Sequence, residues 1–86
     1  MHVPRMKGEG HMPRAFIMVD IRPGYEPTVQ EAVQRLPSIK FAYQVTGEHD
    51  LIALFDSEPY EELAVTIAGI RRLEGVRDTE SLLVLA

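Results

Sequence analysis

The side chains best suited to chemistry stand in a row at Glu48-His49-Asp50, directly after Thr46-Gly47. An imidazole flanked by carboxylates is the raw material of a general-base pair or of half a metal site. Adjacent residues of an extended chain point to opposite faces, so adjacency by itself does not converge them, and a solvated turn is the better reading. Gly47 brings a different chemistry. It takes the positive φ of a tight reversal, and backbone N–H groups around residues 47–49 can then close on a carboxylate without a Cβ obstructing the approach. In such a site Asp50 would meet an ammonium; the alternative is that its carboxylate accepts from nearby amides and stabilises the turn.

Little else competes with this stretch. The other two histidines, His2 and His11, lie in an N-terminal segment without periodicity and are assigned no chemistry. There is no HExxH, no GxGxxG after a strand, no phosphate-cradling GxxxxGK[ST] and no GxSxG elbow. The chain has no cysteine, which excludes disulfides, thiolate metal sites and thiol catalysis and is compatible with a reducing cytoplasm. No catalytic residue, metal site or cofactor is therefore expected, and the chain reads as a non-enzyme. Glu61-Glu62 and Arg71-Arg72 read as solvated helix faces.

Charge narrows the partners. The formal net charge is −4, but Arg5, Lys7 and Arg14 outweigh Glu9, so the first fourteen residues carry about +2 and the body about −6. An acidic body is a poor match for a phosphate backbone, and Phe16 alone does not make the stacking surface of a sheet-type RNA reader. Neither nucleic acid nor membrane is expected as a partner: no run approaches a spanning helix, and the N-terminus lacks the apolar core of a secretory signal. A cytoplasmic location is the expectation.

The elements that must position the turn follow from periodicity. Residues 1–14, with Pro4, Gly8, Gly10 and Pro13, read as an arm: a loose tail, a leader before a start at Met12, or a segment ordered on a partner subunit. Residues 15–86 read as one domain. Ala15 to Arg22 alternates as a strand with Ile17, Val19 and Ile21 on one face and Phe16, Met18 and Asp20 on the other. Pro27 opens a helix carrying Val29, Ala32, Val33 and Leu36, ended before Pro37. Ile39 to Thr46 predicts a second strand, with Ile39, Phe41, Tyr43 and Val45 sharing one face, and Leu51 to Phe55 a third, antiparallel to it. Asp56-Ser57-Glu58-Pro59 predicts the cap of a second helix with a stripe of Tyr60, Leu63, Ala64, Ile67 and Ile70, stopped by Gly75. Val76 to Ala86 predicts the last strand, whose Leu82 to Leu85 run wants burial on both faces.

Two helices, each following a strand in so short a chain, pack most simply on one face of a four-stranded antiparallel sheet. The expected fold is α+β, a ferredoxin-like βαββαβ sandwich. The other face, with Phe16 and Met18, is then bare, and a second copy packed sheet to sheet is the simplest cover.

Two motifs in this order of elements carry a resemblance: Val45-Thr46-Gly47-Glu48-His49-Asp50-Leu51 after the second strand, and Leu73-Glu74-Gly75-Val76-Arg77-Asp78-Thr79-Glu80-Ser81 leading into the fourth. Together, over Ala15 to Ala86, they resemble the effector-binding domain of the Lrp/AsnC regulators, also called the regulation-of-amino-acid-metabolism domain. The resemblance implies a homodimer assembled further into octamers or decamers, with an amino acid or related small effector held where dimers meet. It implies effector contacts at Thr46, Gly47, Glu48, His49 and Asp50, with Thr79 and Ser81 as further lining. His49 stands where an aromatic residue is usual, and either packing against the adjacent dimer or touching the effector is its implied role. Full-length members carry a helix-turn-helix domain that fourteen Pro- and Gly-containing residues cannot form. The chain thus resembles the stand-alone form, acting in transcriptional or metabolic regulation and open to mixed assembly with DNA-binding relatives. Two other readings stand beside it: an ACT-like regulatory module, and a small dimeric αβ-barrel monooxygenase-type enzyme, which would need polar or histidine side chains inside a sheet cavity.

Overall fold

Alternation along β1 (Arg14–Ile21) decides which face of the sheet becomes core. Ala15, Ile17, Val19 and Ile21 are buried while Phe16, Met18 and Asp20 are half-buried on the opposite face. The structure, a computed structural model, describes residues 13–85. The expected arm, up to residue 12, lies outside the described residues, and β1 takes up Arg14, paired with Asp56.

After β1 come α1 (Glu26–Gln34), β2 (Ile39–Gln44), β3 (Leu51–Asp56), α2 (Glu61–Arg71) and β4 (Val76–Leu83). The sheet order is β2-β3-β1-β4 and every pairing is antiparallel. Each helix-bearing connection passes over one strand, and the two helices share the core face, as a ferredoxin-like βαββαβ fold requires. Val29 and Val33 of α1 and Leu63 and Ile70 of α2 meet Ile17, Val19, Leu51 and Phe55 in one cluster. Burying each such large side chain contributes about 1.5–3 kcal/mol. Gln30 and Gln34 of α1 both donate to the Ala42 carbonyl, at 2.9 and 2.8 Å, so the helix also ties down edge strand β2.

Three expectations are corrected. Ile39 does not share a face with Phe41 and Tyr43: it pairs with Phe55 in the core, whereas Phe41 pairs with Leu54, leaving Lys40 as the extra residue of a bulge. One inserted residue reverses the side-chain phase of a strand, so Ala42 turns inward and Phe41 and Tyr43 stack on the outer face with centroids 4.9 Å apart. Next, Asp56-Ser57-Glu58 does not cap α2. Asp56 completes β3, donating its N–H to the Ser38 carbonyl at 2.9 Å, and the helix begins after Tyr60 with no side-chain cap. The buried stripe is accordingly Leu63, Thr66 and Ile70, with Tyr60 and Ala64 exposed. Finally, β4 ends at Leu83 and leaves both leucines about half exposed (51% and 48%): Leu82, opposite Phe16, lies on the outer face, which no described residue covers, whereas Leu83, opposite Ala15, faces the helix side of an edge strand and lines an open groove beside α2.

The outer face is therefore built in rows. One runs Phe41, Leu54, Phe16, Leu82 across all four strands; the next runs Tyr43, Ile52, Met18, Glu80; beyond Met18 the face turns acidic at Asp20 and Asp78.

Candidate functional site

The 45–50 connection is a short hairpin loop built on one glycine. The Val45 N–H donates to the Asp50 carbonyl at 3.0 Å, which closes the loop, and the Asp50 N–H donates to the Val19 carbonyl at 3.0 Å, which docks it on β1. Gly47 lies at φ +109°, where a side chain is strained, although a Cβ there would meet nothing within 4 Å. The glycine is thus required by backbone conformation, and the space above it is open. The N–H groups of Thr46, Gly47, Glu48 and His49 donate to no acceptor among the described residues. Thr46, Gly47 and Glu48 are exposed. Gly47→Ala is expected to lower the unfolding free energy by about 1–2 kcal/mol, the cost of forcing an L-residue to positive φ, as read from urea denaturation midpoints.

Asp50 is half-buried and its Oδ2 accepts from the Ile21 N–H at 2.7 Å. That amide lies where β1 and β4 lose register: Asp20 faces Asp78 and Ile21 faces Val76, so Arg77 is surplus. The Asp50 carboxylate thus satisfies the last amide of β1, while the next, from Arg22, donates to the Gly75 carbonyl at 2.7 Å.

His49 does not pair with its neighbours in sequence. Its Nδ1 is 2.8 Å from Asp20 Oδ1, on β1, and its Nε2 is 3.2 Å from Glu80 Oε1, on β4. The imidazole therefore spans from the turn to two strands of the outer face. The hydrogen bond with Asp20 raises its pKa above the usual 6.5; partial desolvation works against this, and the negative charges of Asp20, Glu80 and Glu48 add to the rise.

Thr79 and Ser81 are placed apart from the turn. They face Val19 and Ile17 across the β1–β4 ladder and so belong to the helix side of the sheet, opposite to Glu80 and His49. The Thr79 hydroxyl accepts from Arg71 Nε at 2.9 Å, tying the end of α2 to β4. Ser81 instead lines an open, largely apolar groove of about 500 Å³ between α2 and β4, with Tyr60, Leu63, Ala64, Ile67 and Leu83. Within one protomer the expected site residues thus form two separate groups: Thr46 to Asp50 at the turn, and Thr79 and Ser81 across the sheet. Among the described residues no set of three or more His, Asp or Glu is arranged to hold a metal ion. No helix among them is long and apolar enough to cross a membrane.

Asp20 and Glu80 escaped the sequence reading. A signal was present, since Asp20 is the one carboxylate on a β1 face that also carries Arg14, Phe16 and Met18. Its partner was hidden because His49 is 29 positions away in sequence.

Comparison with known proteins places the chain in a family. The chain is 30% identical over 73 residues to the HTH-type transcriptional regulator LysM of Sulfurisphaera tokodaii, covering 84% of this chain and 52% of the regulator, so it spans about half of that relative's length. The crystal structure of TTHA0845 from Thermus thermophilus superimposes with a TM-score of 0.81 and 39% identity, covering 87% of this chain and 95% of that one. A transcriptional regulator, NMB0573 of Neisseria meningitidis, solved as an L-Met complex, shares the fold with a TM-score of 0.76 and 22% identity, over 100% of this chain and 59% of its own. The Lrp/AsnC ligand binding domain model matches residues 14–86. That match spans nearly all the described residues, and the chain belongs to the Lrp/AsnC ligand-binding domain family.

Proposed function

We propose that the chain is an oligomeric sensor of an amino acid or a closely related zwitterion, serving transcriptional or metabolic regulation in the cytoplasm without catalysis of its own. The observation that carries this reading is the Gly47 turn, where four successive N–H groups have no acceptor among the described residues and open space lies above the glycine. Amides without an internal acceptor suit a carboxylate, and Asp50, one oxygen of which is taken by the Ile21 N–H, keeps a second oxygen for an ammonium. Family membership supports the same choice, as does L-Met in the Neisseria relative.

Assembly completes the proposed site. Seven of the eight side chains in the two outer rows are apolar, and Tyr43 and Leu82 are 56% and 51% exposed in the protomer. Sheet-to-sheet pairing of two copies covers this surface, and a ring of four or five dimers brings the turn of one dimer against the next. Thr79 and Ser81, remote from the turn of their own protomer, then contribute from a neighbour. Mixed rings with DNA-binding relatives are the proposed route to transcription. The enzyme reading is disfavoured because it needs polar or histidine side chains inside a sheet cavity, and the two outer rows of the sheet carry Glu80 among seven apolar side chains.

The test is a thermal-shift panel of the twenty amino acids, with light scattering alongside. A saturable rise in melting temperature with one or a few amino acids is expected, since a ligand that binds only the folded state stabilises it by mass action. No response to any of them would sink the sensor reading.

A further inference from the structure

We infer that His49 is a proton-operated clamp on the 45–50 turn, fixing it to β1 and β4 together when charged and releasing it from β4 when neutral, so that effector affinity at that turn depends on pH. The coupling to the effector rests on the sensor reading above; the clamp itself does not.

An imidazolium has two N–H groups, whereas a neutral imidazole has one and presents a lone pair at the other nitrogen. In the structure both nitrogens face carboxylates, at 2.8 Å on Asp20 and 3.2 Å on Glu80, and only the charged ring satisfies both. On deprotonation one nitrogen must turn a lone pair to an anion. The Glu80 contact is the one that opens, because it is longer and Glu80 is 57% exposed against 34% for Asp20.

The surroundings are one-sided. Glu48 of the turn adds a third negative charge, and Asp78 precedes Glu80 on the same face of β4. Asp50 is engaged with the Ile21 amide. Among the described residues no lysine or arginine pairs with Asp20 or Glu80, so the ring proton is the cation that holds these acids together.

The pH window follows from the sign of the shift. A histidine whose folded-state pKa lies above 6.5 contributes its stabilisation fully below about 6.5 and loses it as pH rises through the folded value. The turn is therefore most ordered on the acidic side and loosens as pH rises through the folded value. With one proton linked per site, the dissociation constant rises by at most about tenfold per pH unit across that window.

Two measurements on the full chain test this between about pH 5.5 and about pH 9. The first follows the His49 ring by NMR together with amide exchange at residues 45–50. Titration above 6.5, with faster exchange in the same interval, is expected, and Glu80→Gln should shift the midpoint downward. Titration at or below 6.5, or exchange indifferent to it, overturns the clamp. The second is calorimetric titration with the amino acid of largest thermal shift. Affinity should weaken with rising pH in the wild type and stay flat in His49→Gln. A flat wild-type profile with intact binding overturns the coupling and leaves the sensor reading standing. If no amino acid binds at any pH, the sensor reading and the coupling both fail, and the NMR result alone decides the clamp.

Discussion

Replacing Leu54 by Asp is expected to break the proposed assembly into folded monomers. Leu54 lies on the outer face between Phe41 and Phe16, with Leu82 completing the row, and it takes no part in the helix-side core. Removing one large apolar side chain from a sheet-to-sheet contact forfeits about 1.5–3 kcal/mol. An unpaired carboxylate in its place costs several kcal/mol more, so the dimer dissociation constant should rise by about a thousandfold or more. Sedimentation velocity should show the change in mass, while far-UV circular dichroism should be preserved because the core cluster is untouched. A wild-type protein that is already monomeric at micromolar concentration would remove the basis for the proposed ring.

Asp50→Ala is expected to lower the unfolding free energy by about 1.5–3 kcal/mol and to abolish the amino-acid response. Its Oδ2 accepts from the Ile21 N–H at 2.7 Å, 29 positions away, at the point where β1 and β4 lose register. Alanine leaves that amide without an acceptor, and the loss of a charge-assisted hydrogen bond has about this cost. Asp50→Asn separates the two roles. Its amide oxygen still accepts from Ile21, so most of the stability should return. The negative charge that would meet an ammonium is gone, so the thermal shift with amino acids should remain lost. An Asp50→Asn protein that is stable and still responds would reduce Asp50 to a structural residue of the turn.

The rhythm of elements was readable because each apolar pattern had a physical boundary. Ile17, Val19 and Ile21 alternate until Pro23-Gly24, Val29 and Val33 recur at helical spacing after Pro27, and Gly75 at φ +98°, packed against Tyr25, turns the chain into β4 after α2 has ended at Arg71. A chain with two such helices between four strands has few ways to bury both apolar faces, which is why the sandwich and its bare outer face followed from local patterns. The phase of β2 did not follow. A bulge at Lys40 is chosen by pairing with β3, and nothing in Ile39-Lys40-Phe41 announces it.

The site divides in the same way. The sequence alone determined that Gly47 makes a turn, because positive φ is a property of the residue itself, and that Asp50 beside it carries a charge suited to an amide or an ammonium. It also determined the outer apolar face, because alternation along β1 is local. Only the tertiary structure decided which partners those groups have. Asp50 meets Ile21, and His49 meets Asp20 and Glu80, because the order β2-β3-β1-β4 sets the turn beside the end of β1 and brings β4 within reach of the imidazole. It also set Thr79 and Ser81 on the opposite side of the sheet, since facing Val19 and Ile17 fixes their direction. Strand order and register depend on contacts distant in sequence, so the residue types at 46–50 named the chemistry while the sheet assigned its partners.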